Sequence, residues 1–292
     1  MKFAIYATGY KGYKFLCNLN TLPTFVVSYD NKERKDSMHY NKIKDWCNTN
    51  GITVYDRKDF TVHNRAAQNV DKIFVIGWQY IIRKNLEKIV VFHDSYLPEK
   101  RGFSPTVSSL LEEEGALGAS CFKPSPDTKM GPDYGEVYYR KKVKIYYPIT
   151  LADAFDIVTK LYVEMANELI KSNKNPEAID YSESTFSLWR DETDTRIDWS
   201  KPATKIKQKI ESLGFPYMGA TTVYNDSLIH LQEVMVVEGI NFSKVEDHYG
   251  KIWKLEDDHP YIVCGTGVIK ILAATDTNDN KVNFTKIRKR LK

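Results

Sequence analysis

The chain has 292 residues, of which 42% are hydrophobic and 27% charged, and its formal net charge is +4. This length and apolar content predict one large or two modest folded domains and exclude global disorder. The small net charge argues against a dedicated nucleic-acid-binding protein, whose basic residues would be more numerous and clustered. A basic cluster does occupy residues 281–292, and we interpret it first as a solvated terminus.

The four cysteines are scattered along the chain without paired spacing, at Cys17, Cys47, Cys121 and Cys264. This pattern favours reduced thiols in a cytosolic protein over a disulfide framework or a zinc site. The N-terminal apolar run is too short for a signal peptide, and no window has the length of a membrane span. The sequence therefore predicts a soluble cytoplasmic protein with neither a membrane partner nor a bound metal.

Short apolar runs at residues 3–7, 25–29, 52–55, 72–76 and 89–92 read as strands buried on both faces of a parallel sheet. Helical spacing before Gly51 and over residues 106–114 alternates with them. Two further strands and a long helix follow, at residues 118–122, 137–145 and 150–169. This alternation predicts a doubly wound, Rossmann-like α/β domain over residues 1–180.

Residues 181–292 have a different texture, with short β-rich runs separated by Gly, Asn and Asp turns. The runs lie at residues 220–224, 228–231, 234–237, 261–263 and 268–273, and one helix is predicted over residues 202–213. This pattern is typical of a smaller, mostly-β C-terminal domain of the partial-barrel type.

The apolar run 89–92 breaks abruptly into His93, which makes this histidine a candidate for chemistry. Ligands of open α/β sheets bind where buried strands end and loops emerge. Another strand runs into residues 77–81, where a glycine permits unusual backbone and aromatic rings offer flat surfaces for a ring system. Taken one by one, these residues are explained better by a packed loop with core aromatics. The G-x-x-G spacing at residues 9–12 is an incomplete dinucleotide fingerprint, and it argues only weakly for a nicotinamide-dependent oxidoreductase.

Two motifs together resemble the folate-dependent formyltransferase family, which includes methionyl-tRNA formyltransferases and sugar N-formyltransferases. HDSYLP at residues 93–98, followed by Arg101-Gly102 and Pro105, is similar to the family signature H-x-S-L-L-P…R-G…P. GPDYGE at residues 131–136 resembles the G-x-D-x-G-[D/E] loop that supplies the catalytic aspartate. Trp189-Arg190, IDW at residues 197–199 and PYMGA at residues 216–220 resemble motifs of the C-terminal β domain, so the resemblance spans nearly the whole chain.

The resemblance implies transfer of a formyl group from N10-formyltetrahydrofolate to a primary amine, without a metal. The HDSYLP motif and the tyrosine-rich loops resemble the sugar branch, which implies a nucleotide-linked, dTDP-linked dideoxy amino sugar for surface polysaccharide and a homodimer. The catalytic residues would be His93, as base or stabiliser of the intermediate, and Asp133, which orients it. The implied folate-binding residues are Gly77, Trp78, Gln79, Tyr80, Ile81, Arg101 and Gly131, and the implied sugar-nucleotide-binding residues are Tyr10, Lys11, Ser95 and Tyr96.

The sequence departs from the family at Val91, where the family usually has an asparagine two residues before the histidine. That asparagine holds the formyl oxygen as it becomes an oxyanion. Losing such a donor costs about 100- to 1,000-fold in rate unless another group replaces it. Protonated His93, Gln79 and a backbone N–H are the possible replacements. The departure leaves open a slow enzyme or a catalytically impaired folate- or nucleotide-sugar-binding protein. The family resemblance also leaves a methionyl-tRNA formyltransferase as an alternative to the sugar enzyme.

Overall fold

The protein is described by a computed structural model that covers residues 1–30, 37–172 and 174–292. These residues form two compact units. The first unit comprises Met1–Thr106, Gly115–Lys144 and Ala154–Leu188, and the second comprises Val107–Glu114, Ile145–Asp153 and Trp189–Lys292. The predicted domain boundary at residue 180 stays a prediction; the units separate after Leu188, and the second one takes in two segments from earlier in the chain.

Regular elements follow one another along the first 188 residues with short connections. They are β1 (Phe3–Ala7), α1 (Gly9–Asn18), β2 (Phe25–Ser28), α2 (Ser37–Thr49), β3 (Thr53–Asp56), α3 (Phe60–Ala66), β4 (Lys72–Ile76), β5 (Ile89–His93), β6 (Arg101–Gly102), α4 (Pro105–Leu111), β7 (Ala116–Pro124), β8 (Gly135–Lys144), α5 (Leu151–Ser172) and β9 (Phe186–Ser187). All the strands predicted from apolar runs in this region form within a few residues of their expected ends.

The main sheet of the first unit has seven strands in the order β3-β2-β1-β4-β5-β7-β8. Strands β3 to β5 run parallel, whereas β7 and β8 are antiparallel to their neighbours. Strands β1, β2, β4 and β5 are buried along nearly their whole length, as expected when both faces of a sheet are covered. The predicted Rossmann-like α/β fold is confirmed.

The strand order reverses between β1 and β4, because β1 leads outward to β2 and β3 whereas β4 leads to β5 on the other side. Such a switch point opens a crevice at the carboxyl ends of the strands. Gly77, which follows β4, has a positive φ of 64°, and a Cβ atom there would lie 2.9 Å from the Thr8 carbonyl oxygen after β1. The first turn of α1 with Lys11, the loop that begins at Gly77 and the end of β5 with His93 therefore lie at one edge of the sheet.

The second unit contains α6 (Glu192–Thr195), α7 (Ala203–Leu213), β10 (Ala220–Tyr224), β11 (Ser227–Val237), β12 (Ile252–Glu256), β13 (His259–Val263) and β14 (Val268–Asp276). The strands form one antiparallel sheet in the order β10-β11-β14-β13-β12, against which α7 packs its buried face. The predicted runs 228–231 and 234–237 are one strand, β11, with register irregularities around Glu233. The predicted mostly-β second unit is confirmed.

The basic C-terminal segment is not the solvated terminus that its charge indicates, because it packs onto the sheet of the second unit. Phe284 and Leu291 are buried. Lys292 exchanges two backbone hydrogen bonds with Val223 on β10, of 2.7 and 3.1 Å. At the other edge of the sheet, the Lys289 carbonyl accepts from Ile252 N–H at 2.9 Å. The segment thus joins the two edge strands β10 and β12, and its basic side chains remain at the surface.

Three further features bear on the predictions of compartment and chemistry. Within residues 1–30, 37–172 and 174–292, no helix combines the length and apolarity that crossing a membrane requires. The cysteines are all free thiols, and burial raises the pKa of Cys47, Cys121 and Cys264 to about 12, which keeps these three protonated and unreactive. Across the same described ranges, no group of three or more His, Cys, Asp or Glu side chains is placed to hold a metal ion.

Candidate functional site

His93 is the last residue of β5, and its ring is held between two acceptors. Nε2 lies 3.1 Å from the Lys100 carbonyl oxygen, which can only accept a hydrogen bond, so Nε2 carries a proton. The other ring nitrogen, Nδ1, faces the Asp133 carboxylate, with 3.6 Å between Nδ1 and Oδ2. The histidine is buried at 7% exposure, so the loop that follows β5 fixes both its tautomer and its orientation.

Asp133 reaches His93 from the loop between β7 and β8. Its backbone has a left-handed φ of 48°, a conformation that aspartate tolerates better than most residues. Its Oδ2 accepts a 2.8 Å hydrogen bond from the Gly102 N–H. Gly102 itself has a φ of 103°, and a Cβ atom there would lie 2.6 Å from the Ser187 carbonyl oxygen, so only glycine fits at this point. The structure thus brings together the two side chains predicted to be catalytic.

Arg101 holds the loop that carries Asp133. Its Nε donates to the Pro132 carbonyl oxygen at 2.8 Å, and Nη2 donates to the Met130 carbonyl oxygen. Nη1 lies 3.3 Å from Ser184 Oγ, and the whole side chain is buried. The guanidinium therefore positions the catalytic loop, and a direct contact of Arg101 with folate stays a prediction. Gly131 lies in the same loop, exposed to solvent, where a Cβ atom would come 3.7 Å from Arg101 Nη2.

A largely buried charge network is centred on Asp94, the residue after His93. No sequence pattern predicts it, because its members are far apart in the chain. Asp94 accepts hydrogen bonds from Lys11 Nζ, from Tyr162 OH and, at 3.2 Å, from Thr106 Oγ1. Burial would raise the pKa of Asp94, but the Lys11 charge and the hydrogen bonds from Lys11 and Tyr162 hold this pKa below its ordinary value. Burial and the Asp94 charge raise the pKa of Tyr162 well above its ordinary value, which keeps it a proton donor.

We expect Asp94→Asn to lower the free energy of unfolding by about 3–5 kcal/mol at pH 7, because it leaves the Lys11 charge, which is only 16% exposed, without its carboxylate partner. A carboxylate whose pKa is depressed in the folded state contributes stability above its ordinary pKa and loses that contribution as the pH falls through the folded value. The difference between wild type and Asp94→Asn should therefore shrink below about pH 4. Urea denaturation at pH 7 and pH 3 measures both effects.

Asp156→Asn is the matched control for this prediction. Asp156 also pairs with a lysine, Lys14, at 3.0 Å, but both side chains are about one-third exposed. Exposed pairs of this kind contribute less than about 1 kcal/mol. Equal losses in the two variants, or a loss in Asp94→Asn that does not change with pH, would show that the buried network does not stabilise the loop after β5.

The predicted substrate-binding residues all have contacts within the protein, through their side chains or, for Ser95, through its backbone carbonyl. Lys11 is engaged by Asp94, and Tyr10 OH donates to Asp156 Oδ1 at 2.8 Å. Ser95 is buried, and its carbonyl oxygen accepts from Ser120 Oγ at 2.6 Å. The ring of Tyr96 lies 4.5 Å from the Arg140 guanidinium and 4.9 Å from Lys142 Nζ. Their roles toward a sugar nucleotide stay predictions, and for Lys11 such a role requires that it leave or share Asp94.

The loop after β4 divides into packed and exposed residues. Trp78 is half-buried, with its ring 5.3 Å from that of Tyr6 and 5.1 Å from that of Tyr29, so core packing accounts for it. Tyr80 lies under the Arg57 guanidinium at 3.7 Å, and Gln79 and Ile81 are exposed. Within the part of the chain that the structure describes, the N–H groups of Trp78, Tyr80 and Ile81 donate to no backbone carbonyl. These groups can serve the polar edge of a flat ligand.

Val91 lies two residues before His93 on β5, so its side chain points to the same face of the sheet. It packs against an apolar cluster formed by Leu97, Phe122 and Val137. An aliphatic side chain has no hydrogen-bond donor. Position 91 therefore lacks the amide donor that the family resembled by this sequence usually has there.

Comparison with known proteins bears on the predicted family. Residues 190–291 match the family described as formyl transferase, C-terminal domain. A methionyl-tRNA formyltransferase from Clostridium novyi (strain NT) is 24% identical over 268 residues, a match that covers 87% of this chain and 84% of that protein. The chain is thus similar to formyltransferases over most of its length. The predicted family and the predicted class of enzyme are confirmed.

Solved structures share the fold of this formyltransferase at low sequence identity. HypX from Aquifex aeolicus, in complex with tetrahydrofolic acid, has a TM-score of 0.67 at 13% identity; the match covers 97% of this chain and 45% of HypX, so this chain spans less than half the length of HypX. The N-formyltransferase from Helicobacter canadensis, in complex with folinic acid and dTDP-3-aminofucose, has a TM-score of 0.58 at 14% identity. That match covers 93% of this chain and 98% of the other.

Proposed function

We propose that this formyltransferase moves a formyl group from N10-formyltetrahydrofolate to the primary amine of a nucleotide-linked, dTDP-linked dideoxy amino sugar. The observation that carries the proposal is the approach of the Asp133 carboxylate to the ring of His93 at the end of β5, 3.6 Å apart. This pair provides the proton acceptor that an attacking amine requires.

The pair can take and return one proton during the transfer. As the amine nitrogen bonds to the formyl carbon, it loses a proton; as the bond from that carbon to N10 breaks, N10 gains one. Oδ2 of Asp133 is fixed by the Gly102 N–H and faces His93, whereas Oδ1 is bonded by no donor among the described residues. Oδ1 is therefore the atom that we assign to accept the amine proton, with His93 sharing the proton through Nδ1.

The loops of residues 77–81 and 131–133 are the proposed binding site for the folate. Backbone N–H groups of Trp78, Tyr80 and Ile81 that donate to no backbone carbonyl among the described residues suit the hydrogen-bonding edge of a pterin ring. HypX in complex with tetrahydrofolic acid and the Helicobacter canadensis enzyme in complex with folinic acid support a folate as the formyl donor.

The charge distribution of the first unit favours a sugar nucleotide over a nucleic acid. Several of its lysines are paired with carboxylates, including Lys11 with Asp94, Lys14 with Asp156 and Lys142 with Glu99. A surface neutralised in this way attracts a long polyanion only weakly. The complex of the Helicobacter canadensis enzyme with dTDP-3-aminofucose supports an amino sugar carried on dTDP. The homodimer, the cytoplasmic location and the place in surface-polysaccharide synthesis remain predictions from the resemblance.

Methionyl-tRNA is the second candidate acceptor, because the relative from Clostridium novyi is a methionyl-tRNA formyltransferase by name. The third possibility is a protein that binds folate or sugar nucleotide without turnover, since Val91 provides no oxyanion donor. The retention of both His93 and Asp133 in contact argues for catalysis, because mere binding does not require a proton acceptor.

A panel assay tests the proposal. The enzyme is incubated with N10-formyltetrahydrofolate and with dTDP-, UDP- and GDP-linked amino sugars, and the released tetrahydrofolate is measured. We expect turnover with a dTDP-linked amino sugar and none with the corresponding hydroxyl sugar. Turnover with methionyl-tRNA alone, weakening steeply with added salt, would establish the second candidate. Folate binding without turnover across the whole panel would establish the third.

A further inference from the structure

The second unit contains a cavity of about 560 Å³ whose walls combine cations with aromatic rings. Ligand pockets of small molecules usually measure about 300–1,000 Å³. Every lining residue belongs to the second unit, so the cavity is separate from the cluster of His93 and Asp133. The residues that matter for its chemistry are Phe242, Lys251, Trp253, Ile287, Arg288 and Arg290.

One wall of the cavity is the basic C-terminal segment, and hydrogen bonds fix it in place. The Leu291 N–H donates to the Gly250 carbonyl oxygen at 2.8 Å, and the Lys289 carbonyl accepts from the Ile252 N–H at 2.9 Å. Arg290 Nη2 donates to the Asp247 carbonyl oxygen at 2.7 Å. The wall is therefore formed before any ligand arrives, which lowers the entropic cost of binding.

The cavity is electropositive. No carboxylate is among the residues that line it. Elsewhere in the second unit lysines meet acidic partners, as Lys254 and Lys270 do at Glu256. By contrast, none of the ion pairs in the described part of the chain involves Lys251, Arg288 or Lys289. Lys251 Nζ instead donates to His248 Nδ1 at 2.9 Å. Cations without counter-charges in a concave site attract an anionic ligand.

Aromatic side chains supply the second half of the site. Trp253 is 41% exposed, although it packs edge-to-face against Phe242 with 5.6 Å between ring centroids. Packing of this kind holds the indole while part of it stays open to the cavity. An open indole next to unpaired cations suits a ligand with one planar ring and several phosphate oxygens.

We propose that this cavity binds a nucleoside diphosphate, with its base against Trp253 and its phosphates on Lys251 and Arg288. A volume of about 560 Å³ suits one nucleotide, whereas a length of RNA would need an extended basic groove. The proposal does not depend on the acceptor of the formyl group, because none of its residues belongs to the first unit.

Calorimetric titration of the full chain with ADP, GDP, UDP, dTDP and inorganic pyrophosphate tests the proposal. The cavity variant is Lys251→Gln/Arg288→Gln. The control is Lys281→Gln/Lys286→Gln, which changes the charge equally at tail positions outside the lining. We expect the cavity variant to weaken the binding of ADP, GDP and UDP about tenfold or more and the control to change it less than about twofold, whereas dTDP would keep any binding to the first unit. Trp253→Leu should weaken the binding of the nucleotides about tenfold and leave the affinity for pyrophosphate unchanged.

A second measurement uses the unsubstituted chain and so does not depend on variants that fold. Photo-crosslinking with 8-azido-ADP should label peptides within residues 242–253 or 287–290. A dTDP site in the first unit would survive the cavity substitutions and would leave these peptides unlabelled, so the two sites are distinguishable. Absence of binding, equal binding by cavity and control variants, equal affinity for pyrophosphate and nucleotides, or binding to single-stranded RNA alone would each overturn the proposal.

Discussion

Replacing His93 with alanine should lower kcat for formyl transfer by about 100- to 10,000-fold, because Asp133 loses the imidazole that shares the proton of the attacking amine. Asp133→Asn should lower kcat by a similar factor, since an amide cannot accept the proton or favour a protonated His93. The substrate KM values should change much less, because the pair acts on the reacting atoms. Release of tetrahydrofolate under saturating conditions measures kcat, and thermal denaturation checks that each variant is folded.

The contact between His93 and Asp133 leads to a second expected result, for the double variant. If His93 and Asp133 handle one proton together, the double variant should be little slower than the slower single variant. Asp45→Asn is a suitable control, because Asp45 is an exposed carboxylate on α2 far along the chain from either motif. Near-normal kcat in both single variants, or losses that multiply in the double variant, would show that the pair is not the proton acceptor.

Most of the fold follows from local patterns. The runs at β1, β4 and β5 are apolar throughout because both faces of those strands are buried, and their ends are marked by glycine or by polar residues. Helix α3 is too short to show a helical period, and β12 has only one buried residue, Ile252, so neither element has a pattern that predicts it.

The sequence predicts which residues form the candidate site, but it does not predict the contacts among them. The motifs single out His93 and Asp133, but only the folded chain shows that they meet. Charge in the sequence also does not reveal partners: Lys11, which is predicted to bind the sugar nucleotide, pairs with Asp94, 83 residues away. Arg101 is similarly predicted to bind folate, and the sequence does not show that its guanidinium also holds the loop of residues 130–132.

Val91→Asn should raise kcat by about 10- to 100-fold, part of the 100- to 1,000-fold that one oxyanion donor is worth. Position 91 faces the same side of the sheet as His93, so an amide there lies next to the reacting carbonyl oxygen in the proposed reaction. The half-buried amide displaces an aliphatic side chain from the cluster of Leu97 and Phe122. This should lower the free energy of unfolding by about 1–3 kcal/mol. Activity and stability should therefore move in opposite directions.

Val91→Leu separates the donor from the change of size, because leucine resembles asparagine in shape and carries no hydrogen-bonding group. We expect it to leave kcat unchanged or lower it through crowding. A gain confined to Val91→Asn would show that the oxyanion lies within reach of position 91 and that the present chain stabilises it less well. If both variants are slower than wild type, another donor already holds the oxyanion, and the valine is part of a site that works by a different arrangement. An inactive wild type with an active Val91→Asn variant would identify the chain as a formyltransferase that binds its substrates without turnover.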